Sequence, residues 1–278
     1  MILPVITTPL AQRLHEVQNA LRIAAMTHLQ QQAGNPYGIA LQPFGHALAF
    51  RTASIQALDA FNRIIGMQTT DLPLLNAMVE FFDVYHLPCY VDLGAWHLTP
   101  ELGHALTQRG WSPVICDTVL YGKPSVHREV TPAGIEIRSL QTSDLAFFTA
   151  LWADGFAVPQ GPQREIIKTL RGAHFAVPGN QLYLALVDSM PAAIAALYIS
   201  DRIGYLNVGA TLPAFRGRGC HTALTARRIA DAAQAGCELV IGLVSPFGGI
   251  SQQHLQRAGL QLAYNTLTLA RHYPTGRA

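Results

Sequence analysis

The chain has 278 residues, of which 50% are hydrophobic and 13% are charged, and its formal net charge is +2. That much apolar material is enough for a folded core and excludes a disordered chain. The small positive charge argues against nucleic acid or an anionic membrane surface as a partner. At ordinary domain sizes the length predicts one or two domains.

The cysteines and the apolar runs indicate where the protein is located. Cys89, Cys116, Cys220 and Cys237 form no Cys-x-x-Cys pair and no metal-ligand spacing. We therefore expect free thiols in a reducing compartment and no bound metal. The first residues lack a signal peptide's basic flank, and the longest apolar run, near Met190–Ile199, is about half a membrane-spanning length. These observations predict a cytoplasmic protein.

The first half of the chain alternates between helical and extended patterns. Apolar residues between Leu10 and Ala24 recur at spacings of three and four, which predicts a helix with one buried face. The further elements predicted are extended segments at Phe44–Phe50 and Asp59–Met67, helices at Leu72–Tyr85 and Pro100–Gln108, and strands at Cys89–Leu93 and Ser112–Tyr121. Asp71 is placed to cap the helix that follows it, and Gly110 is placed to end the next one.

A polar stretch with prolines at residues 123–133 predicts a linker between two domains, 1–122 and 134–278. The elements predicted after it are a strand at Gly134–Arg138, a helix that starts at 142–144 with Ser143 or Asp144 as its cap, and a short helix at Gln163–Arg171. They are followed by strands at Leu182–Val187, Ala192–Ile199 and Gly204–Leu212, a helix after residue 219, a strand at Leu239–Val244, a helix at Ser251–Arg257 and a strand at Gln261–Arg271. A short echo between Ala105–Trp111 and His254–Leu260 favours two related halves.

The most informative stretch is Pro213–Leu224, which follows a predicted strand and opens a predicted helix. Unpaired N–H groups and a partial positive charge at a helix N-terminus attract anions. The glycines allow a ligand close to the backbone, and Arg216 and Arg218 add positive charge. The stretch therefore predicts a phosphate site. In the helix, alanines at 223, 226, 230 and 233 define one face, and Arg227 and Arg228 are predicted to face elsewhere.

This stretch resembles the acyl-CoA-binding motif of the GNAT superfamily, Arg/Gln-x-x-Gly-x-Gly/Ala. Arg216 takes the first position and Gly219 the first glycine, whereas His221 stands where glycine or alanine is usual. The resemblance covers roughly residues 134–271 in element order. It implies two α/β (α+β layered) GNAT-like acyl-CoA N-acyltransferase domains, each a mixed, mostly antiparallel sheet flanked by helices. The first is degenerate, because its counterpart of the loop, Met67–Pro73, has no Gly-x-Gly and no arginine.

The resemblance implies an N-acetyltransferase that uses acetyl-CoA as acyl donor and an amine, expected to be a small molecule, as acceptor. The CoA-binding residues that it implies are Ala210, Thr211, Leu212, Arg216, Gly217, Arg218, Gly219, Cys220, His221 and Thr222. Trp152 and Phe156 lie where relatives build the acceptor site. No metal is implied, and a homodimer is one of the assemblies left open.

Acyl transfer to an amine needs a group that accepts the amine proton and a group that protonates the leaving thiolate. In many GNAT enzymes the acid is a tyrosine four residues before a glycine, and counting back from Gly259 places Leu255 there. Residues that could replace the tyrosine as the acid are Ser251, His254 and Tyr264. The base could be a water ordered by Asn207 or Tyr205. Ser251 is equally interpretable as a helix N-cap and His254 as a surface residue.

Two alternatives remain beside this hypothesis. The missing tyrosine and the lack of an acidic base also fit a non-catalytic CoA-binding or interaction module. Residues 217–222 approach the dinucleotide fingerprint Gly-x-Gly-x-x-Gly. The loop, however, follows several hairpin-linked strands rather than opening a βαβ unit, and the next strand ends without an acidic residue to hold a ribose.

Overall fold

The computed structural model describes residues 3–54, 61–126, 132–245 and 249–271. Over these ranges it contains seven α-helices and eleven strands. The helices are α1 Thr8–Gln30, α2 Leu75–Asp83, α3 Pro100–Gln108, α4 Leu145–Gly155, α5 Pro162–Ala176, α6 Cys220–Gln234 and α7 Ile250–Arg257. The strands are β1 Ile39–Phe44, β2 Ala47–Thr52, β3 Arg63–Ile65, β4 Cys89–Gly94, β5 Ser112–Gly122, β6 Ile135–Leu140, β7 Asn180–Val187, β8 Met190–Ser200, β9 Ile203–Thr211, β10 Leu239–Val244 and β11 Gln261–Arg271.

The chain divides into two compact units that interleave in sequence. Unit 1 comprises Met1–Ala25 and Val119–Ala263, and unit 2 comprises Met26–Thr118 and Tyr264–Ala278. This division in space differs from the predicted division at the linker, because most of α1 belongs to unit 1 and most of β11 to unit 2. The domains 1–122 and 134–278 stay a prediction about the sequence.

In unit 2 the strands follow the order β1-β2-β3-β4-β11-β5. The pairs β1/β2, β2/β3 and β4/β11 are antiparallel, and β3/β4 is parallel, with α2 as the crossover. The apolar core includes Phe50, Met78, Phe82, Val91 and Trp111, none more than 2% exposed. The mixed, mostly antiparallel sheet predicted for the first half is therefore present.

In unit 1 the strands follow the order β10-β9-β8-β7-β6. The pairs β6/β7, β7/β8 and β8/β9 are antiparallel, and β9/β10 is parallel, with α6 as the crossover. Two-residue turns at 188–189 and 201–202 connect β7, β8 and β9, and both residues of each turn have positive φ. Such turns match the twist of the strands that they join.

Side chains of β8 alternate between the two faces of this sheet. Ala195 and Leu197 pack in a core with Leu224 of α6, whereas Ile194 packs in a second core with Phe148 of α4. This alternation follows from the period of two in a strand. The sheet therefore carries α6 on one face and α4 on the other.

Three predictions for the first half need correction. Phe44–Phe50 is a hairpin rather than one extended segment, because Gly45 (φ +64°) and His46 form a turn between β1 and β2. Within Asp59–Met67 only β3 is extended, and residues 59–60 lie outside the described residues. The helix predicted at Leu72–Tyr85 is a 3-10 helix at Thr69–Leu74 followed by α2, with Pro73 inside the 3-10 helix.

Candidate functional site

In unit 1, β9 and β10 pair only over their first residues. The parallel pairing joins residues 203–205 to residues 239–241, and β9 then continues to Thr211. Beyond residue 205, the edge of β9 that faces β10 has no strand partner in the part of the chain that the structure describes. Backbone N–H and C=O groups along such an edge can pair with an extended ligand.

A cavity of about 290 Å³, called here the wedge cavity, lies where the two strands separate. Residues 206–209 line it from β9, residues 243–245 from the end of β10, and His221 and Arg228 from α6. The lining is completed by Phe156, Gly249, Ser251 and Leu255. None of these lining residues is an aspartate or a glutamate. The charged side chain among them is the cation Arg228.

A β-bulge shapes the β9 wall of the wedge cavity. Two residues of β9, Leu206 and Asn207, oppose the single residue Leu197 of β8. Bulges increase the local twist and redirect side chains, often next to functional sites. Asn207 lines the wedge cavity, and its Nδ2 is buried without a hydrogen-bond partner among the described residues.

The loop before α6 has the backbone geometry of an anion site. Gly217 (φ +79°) and Gly219 (φ +86°) occupy the left-handed region, and Gly219 is the N-cap residue of α6. No described atom lies within 4 Å of the position that a Cβ would take at Gly217. The 15-residue helix leaves its first N–H groups without partners inside the helix. The loop therefore fits a phosphate group.

The two loop arginines have different environments. Arg216 donates from Nε to the Thr211 carbonyl (3.4 Å) and from Nη2 to the Gly155 carbonyl (3.2 Å), which fastens the loop to β9 and to α4. Arg218 is exposed, and its Nη1 lies 4.0 Å from Oδ2 of Asp188. Arg218 is therefore the more available of the two for an anionic ligand.

His221 packs against the backbone of β9 from the first turn of α6. A Cβ at Gly209 would lie 3.2 Å from Nε2 of His221, so the glycine leaves room for the imidazole. Nδ1 is buried without a hydrogen-bond partner in the described ranges, and the ring centroid lies 4.9 Å from that of His254. Burial, with the neighbouring Arg228 and His254, lowers the pKa of His221 to about 4. The imidazole is therefore neutral near pH 7.

The sequence groups Arg228 with Arg227 away from the alanine face of α6, but the structure separates the two. Arg227 pairs with Asp231 at 2.7 Å. Arg228 is only 2% exposed, and its Nη1 donates to the carbonyls of Ala196 (3.1 Å) and Val208 (2.8 Å), the paired residues that adjoin the bulge. Sequence analysis missed Arg228 as a residue of the cavity, since no local pattern distinguishes it from Arg227.

The predicted catalytic residues fall into two places. Asn207 and Ser251 line the wedge cavity. The interpretation of Ser251 as the N-cap of α7 is wrong, because Gly249 occupies that position. His254 lines a second cavity, of about 430 Å³, and its Nδ1 lies 3.5 Å from Oγ1 of Thr222. The His221 ring stands next to it, so the two cavities approach each other at this histidine pair.

The remaining predicted residues lie around the wedge cavity or away from it. Phe156 lines the cavity and is 53% exposed, whereas Trp152 of α4, 5.6 Å from it by ring centroids, is buried in the core with Phe148 and Phe175. Tyr205 is buried in β9. Tyr264 belongs to unit 2, where its ring packs edge-on against Trp96 at 5.0 Å. Phe156 is thus the predicted acceptor-site residue that reaches the cavity.

The corresponding loop of unit 2 is filled by its own side chains. The Asp71 carboxylate is 1% exposed and accepts the backbone N–H groups of His46 and Gln68, each at 2.9 Å. Met67 is fully buried. An internal carboxylate thus occupies the place where a ligand anion would have to bind.

Neither the scan of family models nor the search of curated proteins finds a match for this chain. Solved structures do match. A GCN5-related N-acetyltransferase from Kribbella flavida is 17% identical with a TM-score of 0.63, covering 91% of this chain and 96% of that one. One from Sphaerobacter thermophilus is 13% identical with a TM-score of 0.59, covering 94% and 95%. A tandem GNAT protein from the clavulanic acid biosynthesis pathway is 10% identical with a TM-score of 0.61, covering 98% and 99%.

The chain has the fold of the GNAT acetyltransferases. The tandem GNAT protein matches over nearly the whole of both chains, which confirms the predicted tandem GNAT-like fold. Within the described residues, no helix combines the length and the apolar character that crossing a membrane requires. Those residues also contain no group of three or more His, Cys, Asp or Glu side chains arranged for a metal ion. Cytoplasmic location and a homodimer stay predictions.

Proposed function

We propose that this protein transfers an acetyl group from acetyl-CoA to the amine of a small-molecule acceptor. One observation carries the proposal: in unit 1 an open, glycine-containing helix start lies at the end of the same strand whose unpaired edge lines the wedge cavity. An acyl-CoA has a diphosphate, then a pantetheine arm, then an acyl group. The phosphate site suits the diphosphate, the unpaired strand edge suits the pantetheine arm, and the wedge cavity suits the acyl group.

Each part of the chain has a role in this binding mode. The N–H groups of 217–222, with Arg218, hold the diphosphate. Arg216 keeps the loop fastened to the end of β9 through its two carbonyl contacts. Residues 206–212, with Ala210 and Thr211 among them, offer backbone groups to the amides of the pantetheine arm. His221, neutral near pH 7, packs against β9 as a polar wall of the cavity.

Acetyl-CoA supplies a thioester whose carbonyl carbon bonds to the amine nitrogen as the carbon–sulfur bond breaks. The amine gives up its proton and the departing sulfur gains one. The Asn207 amide and the Ser251 hydroxyl in the wedge cavity are placed to order a water that accepts the amine proton. His254, beside His221, is the candidate to return a proton to the sulfur. Positioning of the two substrates supplies a large part of the acceleration.

A second function, a non-catalytic CoA-binding or interaction module, is favoured by one specific observation. Leu255 stands where the usual tyrosine is expected and is buried, with Cδ1 2.5 Å from the place of a Cβ at Gly242. The lining of the wedge cavity also offers no carboxylate as a base. A module of this kind would bind CoA at the same loop and would release no thiol.

The first experiment is a thermal-shift titration with acetyl-CoA, CoA and NAD, followed by an assay of CoA thiol release with a panel of small amines. Ligands that bind the folded state raise the melting temperature by mass action. We expect both CoA species to raise it and NAD to leave it unchanged. Thiol release that depends on an amine then identifies the acetyltransferase.

The outcomes separate the candidate functions. A shift with both CoA species without thiol release from any amine favours the non-catalytic module. A shift with NAD alone favours the dinucleotide alternative. If no nucleotide produces a shift, the assignment of the α6 loop as a CoA site is wrong.

A further inference from the structure

Arg228 is a buried cation whose partners are all neutral. Its side chain is 2% exposed. Nε donates to the Leu224 carbonyl (3.1 Å), Nη1 to the carbonyls of Ala196 (3.1 Å) and Val208 (2.8 Å), and Nη2 to Oγ1 of Thr225 (3.3 Å). In the described part of the chain no carboxylate forms an ion pair with it. Removing a charge from water without an opposite charge is costly.

Other buried arginines of the same chain show how unusual this is. Arg63 is 7% exposed and pairs with the buried carboxylate of Asp92. Arg164, also 7% exposed, pairs with Asp154. Arg228 is more buried than either, and its burial lowers its own pKa to about 10 because no anion offsets the loss of water. The site of Arg228 therefore lacks an anion that the other two sites contain.

The wedge cavity is the place from which such an anion can approach. Arg228 lines it, and a Cβ at Gly209 would lie 3.7 Å from Nη2 of Arg228, so the guanidinium sits directly beneath this glycine. Asn207 and His221 line the same cavity, and each has a buried nitrogen without a hydrogen-bond partner among the described residues. Among the described residues that line the cavity, none has an acidic side chain that would repel an anion.

We propose that the wedge cavity binds a substrate carboxylate, with Arg228 as its counter-charge and the Asn207 amide as a hydrogen-bond donor. This inference rests on the proposed acyl-CoA function and names the chemistry of its substrate. The carboxylate has two possible sources, which are the far end of a dicarboxylic acyl group on CoA and an amino-acid acceptor. A cavity of about 290 Å³ has room for such a group beside the thioester.

The donor test compares succinyl-CoA with butyryl-CoA by calorimetry. The two acyl chains have four carbons each and differ in ending with a carboxylate or a methyl group. We expect succinyl-CoA to bind at least about tenfold more tightly if the carboxylate comes with the donor, since charge-assisted hydrogen bonds are strong in a buried site. Arg228→Met is expected to remove the preference.

The acceptor test compares amino acids with their decarboxylated amines, as alanine with ethylamine and phenylalanine with 2-phenylethylamine. Binding is measured by calorimetry, and turnover by CoA thiol release with acetyl-CoA as donor. A preference of about tenfold or more for the amino acids, lost in Arg228→Met, places the carboxylate on the acceptor.

Two further variants keep the test decisive. Arg227→Met makes the same change on the same helix at a residue that pairs with Asp231 and does not line the cavity, so the preference is expected to remain. Asn207→Asp keeps Arg228 and its carbonyl contacts but brings a carboxylate into the cavity, so the preference should be lost even if Arg228→Met does not fold.

The outcomes are distinguishable from those of the proposed function. Free CoA is titrated first, and its failure to bind counts against the acyl-CoA assignment, whereas the calorimetric comparison of amino acids with amines still tests the carboxylate site. Equal binding of both members of every pair by the wild-type protein overturns the inference, as does a preference that survives in Asn207→Asp. Arg228 would then serve to fasten the bulge between β8 and β9.

Discussion

The two parallel crossovers of this chain, β3-α2-β4 and β9-α6-β10, start their helices in opposite ways. Before α2, the buried Asp71 carboxylate accepts the backbone N–H groups of Gln68 in its own loop and of His46 in the turn between β1 and β2. Before α6, two glycines with positive φ leave the helix start open, and no acidic side chain belongs to the loop. The loop before α2 contains a buried carboxylate of its own chain, and the loop before α6 contains none.

Under the proposed function, this difference means that the tandem fold has a ligand site at one helix start and none at the other, with the same local topology at both. Both crossovers join parallel strands through a helix that follows a 3-10 helix. A single buried carboxylate can take the place of an external anion in such a loop, because it accepts backbone N–H groups without the entropy cost of binding. The predictions below alter each helix start in turn.

The largest expected effect comes from placing a carboxylate at the open start. Gly219→Glu puts a negative side chain at the N-cap of α6, at a φ of +86° that side chains rarely adopt. It would repel the diphosphate and compete for the same N–H groups. We expect CoA affinity, measured by calorimetry, to fall at least about a thousandfold, which is about 4 kcal/mol.

A matched control separates this repulsion from backbone strain. Gly236 follows α6 with a φ of +75°, and no described atom lies within 4 Å of the place of its Cβ. Gly236→Glu therefore introduces the same residue at a similar φ far along the helix from the loop. A Cβ at Gly219 would also lie 3.1 Å from Cγ of Pro132, so Gly219→Ala, which adds that methyl group without the charge, is the second control. If the two glutamate variants bind CoA equally well, the open start of α6 is not the diphosphate site.

The next effect comes from opening the closed start. Asp71→Ala removes the acceptor of two N–H groups that lie in a buried site. We expect the free energy of unfolding of unit 2 to fall by about 2 kcal/mol, with CoA affinity unchanged. Urea denaturation in a Trp152→Phe background measures it, because Trp96 and Trp111 then report on unit 2 alone.

Asp144 provides the control for this prediction. Its carboxylate accepts the Gln141 N–H at 2.9 Å before α4, but it is only partly buried. Asp144 lies in unit 1, so Asp144→Ala is followed through Trp152 in a Trp96→Phe, Trp111→Phe background. The variant is expected to cost less, about 0.5 to 1 kcal/mol. A loss of CoA affinity in Asp71→Ala would contradict the conclusion that the two helix starts have separate roles.

The sequence predicts several elements of both units closely because their signals are local. α3, β10 and β11 have the predicted bounds, and the turn at Asp201 forms with positive φ as turn chemistry requires. The loop at 213–219 was identifiable because glycine and arginine occur together between a strand and a helix. These features depend on residues adjacent in the chain.

What the sequence does not predict depends on contacts between distant residues. The bulge at Leu206 and Asn207 is set by the register of β8 against β9, and no turn residue marks it. Arg228 looks like Arg227 in sequence, and only the carbonyls of Ala196 and Val208 distinguish them. The interleaving of the two units follows from the pairing of β11 with β4, more than 170 residues apart in the chain.

The smallest expected effect concerns His221, the titratable residue that is buried in the first turn of α6. The pKa of His221 falls to about 4 from its ordinary 6.5, so the unfolded chain binds more protons between these values and stability falls as the pH drops through this window. From pH 7 to pH 5.5 we expect wild type to lose about 1 kcal/mol more than His221→Asn, which keeps a polar side chain without a titration near neutral pH. Urea denaturation at the two pH values measures this difference, and His174, buried in both proteins with a lowered pKa, cancels from it. Equal losses in the two proteins would mean that the imidazole is solvated in solution, and the α6 start would then be open to water as well as to an anion.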